Sequence, residues 1–331
     1  MTDQVHDVLI VGGGPCGLAC AIEAKAAGLD VVVLEKGSIA ESIRRYPRQM
    51  TFFSTPENIA IGQLPFPTVG AKASRNEALK YYRLAADHYG LDLRLYTEVR
   101  RVKRYGETFS VTTTGSEEFR AHNVVIATGY FDFPRPLNIP GIDSPRVTRY
   151  YDEAHPYARS RVTIIGGGNS ATEAALDLYR SGAEVTILVR EEGMKPTVKY
   201  WLTKDIQNRI GEGSIKLLTR GEATRITPQA VAYRDLETGA EKEIPSDFVL
   251  VLIGYLPETG FYQQLGIPYD PESLIPEYDP ETYSTPVPGL YLAGTVIAGV
   301  HTEKVFIENG RLHGTAIVRD ILQNQPATVI K

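Results

Sequence analysis

One glycine-rich turn occurs twice in this chain, as Gly12-Gly13-Gly14-Pro15-Cys16-Gly17 and again as Gly166-Gly167-Gly168-Asn169-Ser170-Ala171. Each copy follows a short apolar run, Asp7-Val8-Leu9-Ile10-Val11 or Arg161-Val162-Thr163-Ile164-Ile165, and opens an Ala/Leu-rich helical stretch. A strand, a G-x-G-x-x-G/A turn and a helix in that order form the cradle of a dinucleotide site. Glycine permits the tight turn and lets backbone N–H groups approach a pyrophosphate, which then sits at the positive end of the helix. Two cradles call for two dinucleotides. The fold class expected is therefore α/β, with two dinucleotide-binding Rossmann-like domains.

Superposing the copies on their glycines carries Gly28 onto Gly182, so the two helices have equal length. The copies diverge at the next strand. In the first, Val31-Val32-Val33-Leu34 ends in Glu35, about 20 residues past the cradle, where a carboxylate accepts hydrogen bonds from an adenosine ribose with free hydroxyls. The matching position in the second is Val189, followed by Arg190 and Lys195. Cations in place of a carboxylate suit a 2′-phosphate, as in NADPH, or else form a solvated basic turn. The cofactor-binding residues expected in the first unit are Gly12, Gly14, Pro15, Gly17, Glu35 and Lys36. Those in the second are Gly166, Gly168, Asn169, Ser170, Arg190 and Lys195. No metal is expected.

A chain of 331 residues suffices for about two domains with cores of their own. A net charge of −5 leaves no basic footprint for nucleic acid. No apolar run long enough to span a membrane is present, and the first strand begins within a few residues of the N-terminus, so a cytoplasmic location is expected. The two cysteines, Cys16 and Cys20, fall four apart in one expected helix and form no disulfide framework.

Further along, the irregular stretch from Tyr46 to Gly70 is long enough to suggest a functional loop. A helix is expected from Arg75 to Tyr89, followed by strands near Leu91–Tyr96, Glu98–Arg104 and Thr108–Thr114. Asn123-Val124-Val125-Ile126 leads into the small-residue turn Ala127-Thr128-Gly129, and the proline-rich run from Phe133 to Pro140 reads as a linker. Another buried strand, Phe248–Gly254, closes the second unit. The strand Tyr291-Leu292-Ala293-Gly294, followed by Thr295 and a closing helix over Glu303–Leu322, has no cradle of its own and is expected to return to the first unit. Domains are thus expected at 1–132 and 256–331 for the first cofactor and at 133–255 for the second.

Together these motifs resemble flavoproteins of the low-molecular-weight thioredoxin reductase class, over nearly the whole chain. The chain departs from that class in lacking a Cys-x-x-Cys pair in the second unit and in carrying Thr295 where Asp is usual. Phe52-Phe53-Ser54-Thr55-Pro56, Lys199-Tyr200-Trp201 and Phe306-Ile307-Glu308-Asn309-Gly310, with the first cradle, are similar to the bacillithiol disulfide reductase family. That resemblance implies FAD in the first cradle, with Thr128, Gly129, Gly294 and Thr295 among its contacts, and NADPH in the second. It also implies a small-molecule disulfide substrate and a homo-oligomer, dimer or tetramer, with no nucleic-acid or membrane partner. Cys16 is the expected catalytic residue, either as nucleophile or as a small packing side chain like Ser170, and Cys20 is expected in the core. His155, His301 and His313 are candidate acids, with His301 set apart only by standing just before the closing helix that should approach the flavin. Phe52, Phe53, Tyr150, Tyr151 and Trp201 either line a pocket or pack in the core. The alternatives are a ferredoxin or flavodoxin reductase of the same fold, a flavin monooxygenase, and a redox sensor that binds both cofactors without turnover.

Overall fold

A computed structural model describes residues 4–324. In chain order, the first unit begins with β1 (Val5–Val11), α1 (Pro15–Ala26), β2 (Val31–Leu34), α2 (Glu41–Arg44), α3 (Pro56–Ile59) and α4 (Arg75–His88). It continues with β3 (Asp92–Arg94), β4 (Val99–Tyr105), β5 (Thr108–Thr113) and β6 (Glu118–Ile126). The second unit contains β7 (Val147–Thr148), β8 (Arg161–Ile165), α5 (Asn169–Arg180), β9 (Glu184–Leu188), α6 (Tyr200–Gly211) and β10 (Ile215–Leu218). Its last strands are β11 (Gly221–Ile226), β12 (Ala230–Asp235), β13 (Glu241–Pro245) and β14 (Phe248–Val251). The described residues then continue through α7 (Thr259–Leu265), β15 (Leu290–Leu292), α8 (Ile307–Gly310) and α9 (His313–Asn324).

These elements form two compact units. One runs up to Arg45, takes in Gln49–Phe133 and resumes at Leu256; the other comprises Tyr46–Arg48 and Pro134–Tyr255. In the first, a seven-stranded sheet has the order β3-β2-β1-β6-β5-β4, with β15 added to β6. Its central strands are parallel and covered on both faces, which is why they read as unbroken apolar runs instead of alternating ones. Leu9 and Ile10 are fully buried, and truncating either to alanine should cost about 2–5 kcal/mol. Helix α4 starts where Ser74 and Glu77 form a capping box, the Glu77 N–H donating to the Ser74 hydroxyl at 3.2 Å and the Ser74 N–H to the Glu77 carboxylate at 2.8 Å.

Register places the site. Val11 pairs with Leu34 on one side and Ile126 on the other, and Ile126 pairs in turn with Leu292. The carboxyl ends of β2, β1, β6 and β15 therefore come level in one row, where doubly wound sheets bind their ligands. The second unit repeats the plan with the parallel order β10-β9-β8-β14-β7, and adds a three-stranded antiparallel sheet, β11-β12-β13.

Two segments differ from their sequence reading. The proline run after Phe133 is not a free linker: Ile139 and Leu137 pack on the core of the second unit, and the Pro140 carbonyl accepts the Ile226 N–H at 2.9 Å. The closing helix is also two helices. Asn309 holds the start of α8 by accepting the Phe306 N–H at 2.8 Å, and the chain turns at Arg311 and Leu312 before α9. The later part of the irregular stretch is tied down through Tyr81, whose hydroxyl donates to the Leu64 carbonyl at 2.8 Å and whose ring stacks on Phe66 at 4.0 Å.

Candidate functional site

At the first cradle the chain leaves β1, turns through Gly12–Gly14 and enters α1 with Pro15 in its first turn. Gly12 takes φ +113°, and a methyl group there would stand 2.5 Å from the Ala127 carbonyl oxygen, so only glycine fits this crossing between β1 and β6. Gly14 caps α1 with extended backbone and no side-chain hydrogen bond, and the first turn carries no acidic residue. The amides at this end are thus left for an anion. A methyl group on Gly14 would meet nothing within 4 Å.

Glu35, at the end of β2, is buried. One carboxylate oxygen accepts the Gly13 N–H at 2.6 Å, and the other accepts the Gly37 N–H at 2.8 Å. Burial pushes this carboxyl above its ordinary range, against the opposing pull of those two N–H donors. Lys36 forms an ion pair with Asp132 at 2.9 Å, a carboxylate that also takes Arg45. Thr128 and Gly129 follow β6, and Gly294 and Thr295 follow β15. A methyl group on Gly129 would stand 3.3 Å from Thr295 Oγ1, so the two turns adjoin. Thr128 Oγ1 is buried with no hydrogen-bond partner in the described structure. An orphaned hydroxyl, an uncapped helix end and open space at Gly14 all fit a bound dinucleotide.

The second cradle reproduces the first. Gly166 takes φ +128°, and a methyl group there would stand 2.3 Å from the Leu252 carbonyl oxygen. A methyl on Gly167 would meet Val189 at 2.9 Å, as one on Gly13 would meet Glu35 at 3.0 Å, so Val189 occupies the place of the carboxylate. Gly168 caps α5 without a side-chain hydrogen bond. Asn169 organises the neighbouring loop: its side-chain oxygen accepts the Lys199 N–H at 2.8 Å and its amide donates to the Thr197 carbonyl at 3.2 Å. Lys195 joins the cradle through its backbone, donating to the Gly167 carbonyl at 2.9 Å, and its side chain is exposed. Ser170 is exposed on α5, and Arg190 extends into solvent, 4.0 Å from Glu222.

Cys16 lies in the first turn of α1, half-buried. Its sulfur faces two glycines of the returning segment. A methyl group on Gly294 would come 2.9 Å from Cys16 Sγ, and one on Gly310 would come 2.7 Å from it. Burial pushes the thiol up to about 12, so in this arrangement the sulfur is protonated at neutral pH and not a thiolate. Cys20 is buried in the core of the same unit.

The candidate acids separate. His155 is exposed in the second unit, and His301 lies 3.5 Å from Glu303. His313 is 4% exposed and accepts the Gly294 N–H at Nδ1, 3.1 Å away. Burial lowers its pKa to about 4, so at neutral pH it carries no extra proton to give. Nothing in its spacing had set it apart from the other histidines. Of the aromatics, Phe52 and Tyr151 are core, Phe53 packs edge-on against Phe306 at 5.0 Å, and Trp201 is 41% exposed. Gly310 closes a motif already named from the sequence, but its place against the sulfur is a long-range contact that a glycine inside a helical pattern does not signal. Among the described residues no group of His, Cys, Asp and Glu could hold a metal ion, and no helix is long and apolar enough to cross a membrane.

If Glu35 holds a ribose, Glu35→Ala should weaken FAD binding by about 1.5–3 kcal/mol, on the order of tenfold to a hundredfold. Flavin fluorescence on dilution measures it, and unchanged retention would remove the ribose assignment.

The sequence profile of the pyridine nucleotide-disulphide oxidoreductase family matches residues 9–294. The chain is 38% identical over 320 residues to a Bacillus subtilis (strain 168) protein named bacilliredoxin reductase Bdr, across 96% of this chain and 98% of that one. Among solved structures it resembles the bacillithiol disulfide reductase Bdr (YpdA) of Bacillus cereus, with 36% identity, 97% of this chain and 100% of that one covered, and a TM-score of 0.95. The Staphylococcus aureus protein of the same name matches at 38% identity over 98% of this chain and 100% of that one, with a TM-score of 0.93.

Proposed function

The chain belongs to the pyridine nucleotide-disulphide oxidoreductase family, and from that premise we propose that it reduces the disulfide of a low-molecular-weight thiol, bacillithiol disulfide first, with NADPH as the electron source. It is an NADPH-dependent flavoprotein. FAD would be held by Gly12, Gly14, Pro15, Gly17, Glu35, Thr128, Gly129, Gly294 and Thr295, with Lys36 at the rim. NADPH would be held by Gly166, Gly168, Asn169, Ser170, Arg190 and Lys195. A bound flavin would supply the two-electron chemistry that links NADPH to a disulfide. The balance is RSSR + NADPH + H⁺ giving 2 RSH + NADP⁺.

The observation that carries this reading is the placement of sulfur. The second cysteine of the sequence, Cys20, lies one turn further along α1 and is buried in the core, so Cys16 has no accessible partner for a dithiol relay to a protein substrate. Cys16 is the one at the first cradle. As nucleophile it would displace one RSH and form the mixed disulfide Cys16–S–S–R, which the two electrons then return to Cys16 thiol and a second RSH. A thiol with a pKa near 12 does not attack unaided. Its use therefore requires the walls formed by Gly294 and Gly310 to part as substrate arrives.

The relatives' names differ in the acceptor they state, a bacilliredoxin in one and bacillithiol disulfide in the others. NADPH oxidation followed with bacillithiol disulfide, other small disulfides, a bacilliredoxin, ferredoxin and oxygen alone decides between them. Turnover only with ferredoxin or oxygen would overturn the reading. A homo-oligomer and a cytoplasmic location belong to the same proposal, and light scattering of the holoenzyme tests the first.

Arg190→Ala tests the second cradle. Loss of a charge-assisted contact of about 1.5–3 kcal/mol should lower kcat/KM for NADPH on the order of tenfold to a hundredfold and leave NADH nearly unchanged. An equal loss with both cofactors would show that Arg190 acts on the loop and not on the 2′-phosphate.

A further inference from the structure

His313, the first residue of α9, is buried and serves no step so far described. Because its ring is neutral, Nδ1 offers a lone pair to the Gly294 N–H and the proton resides on Nε2. Tyr283 lies flat on the ring, 3.9 Å away and 13° from parallel. Tyr283 is itself fixed, its N–H donating to Asp279 at 2.7 Å and its carbonyl accepting the Leu292 N–H at 3.0 Å. Tyr278 is near-parallel to it at 6.1 Å. The imidazole is thus held in one orientation, with its acceptor on Gly294.

Gly294 is the point where this matters. It takes φ +75°, and a methyl group there would meet Cys16 Cβ at 2.8 Å, so the backbone itself closes over the cysteine. The other wall is Gly310, where a methyl would stand 3.2 Å from Gly294 Cα. Thr295, next in the chain, faces the turn after β6. A buried N–H without its acceptor is strongly disfavoured, so the Gly294 turn keeps this conformation only while an acceptor is present.

We propose that His313 is a positioning residue: by accepting the Gly294 N–H it fixes the turn that covers the Cys16 sulfur and sets Thr295 against the first cradle. This rests on the reading of that cradle as the flavin site and of Cys16 as the thiol that meets the disulfide.

The test compares the holoenzyme with His313→Phe, which keeps a ring to stack on Tyr283 but has no acceptor, and with His313→Asn, whose side-chain oxygen can replace Nδ1. Three quantities are read: the rate of Cys16 alkylation by iodoacetamide, mapped by mass spectrometry; the shape of the flavin absorption band; and the thermal unfolding midpoint. His313→Phe should alkylate at Cys16 on the order of tenfold faster, with a shifted flavin band, while His313→Asn stays within about threefold of the parent. Parent-like alkylation and an unchanged band in a folded His313→Phe protein would overturn the proposal. Should that variant fail to accumulate, amide exchange in the parent decides: the peptide carrying Gly294 should exchange as slowly as β15, and exchange as fast as the exposed loops refutes the clamp. A parent that holds no flavin would sink the functional reading instead, while the alkylation rates would still decide His313's role.

Discussion

A Gly17→Ala protein is expected to purify colourless and to unfold well below the parent. Gly17 is buried in the first turn of α1, and a methyl group on it would stand 2.0 Å from the Gly12 carbonyl oxygen. The obstacle is backbone, not the mobile end of a side chain. Gly12 cannot retreat, because its own crossing against Ala127 leaves no room. Overpacking of this kind costs about 3 kcal/mol, or roughly 5–10 °C in Tm, and displaces the amides that face the pyrophosphate. Gly14→Ala is the control. Its methyl enters open space at ordinary φ, −76°, so the fold should stand while FAD binding weakens. A yellow Gly17→Ala protein with the parent's Tm would show that the turn is more compliant than these contacts allow.

Cys16→Ser should abolish disulfide-dependent NADPH oxidation, by about a thousandfold or more as for other lost nucleophiles. FAD content and single-turnover reduction of the flavin by NADPH should stay near the parent's. Serine is smaller than cysteine and enters the Gly294–Gly310 walls without overlap, and Ser170 occupies the matching position of the second copy. Oxidised parent enzyme mixed with substrate should carry one thiol adduct on Cys16 and none on Cys20, which lies buried in the core. If Cys16→Ser still reduces the disulfide at a rate comparable to the parent, the cysteine is a packing residue. The disulfide would then take its electrons without passing through an enzyme sulfur. The raised thiol pKa gives this experiment its weight, since it makes the nucleophile role depend on the Gly294 turn giving way.

The repeated cradle was legible from local pattern because its determinants are local. A strand, a turn that only glycine can make and a helix leave their marks within about 30 residues, and the same holds for the contrast between Glu35 and Val189. Helix α4, expected over Arg75–Tyr89, has local determinants too, since the structure starts it at a capping box formed by Ser74 and Glu77. The closing helix was read as one because its apolar spacing continues past the break. At the break Gly310 settles against Cys16 and Gly294, a contact between residues far apart in the chain.

Amino-acid order alone thus determined that this protein is two α/β units built for two different dinucleotides, since periodicity, glycine placement and one carboxylate act over short distances. The tertiary structure decided the state of the thiol. Pattern placed Cys16 at a helix start beside the pyrophosphate cradle, two influences that oppose each other on its pKa, and burial raises it to about 12. It also turned His313 from a candidate acid into a neutral acceptor for Gly294. Desolvation depends on everything packed around a group, and that is fixed only when β15, α8 and α9 fold back onto the first cradle.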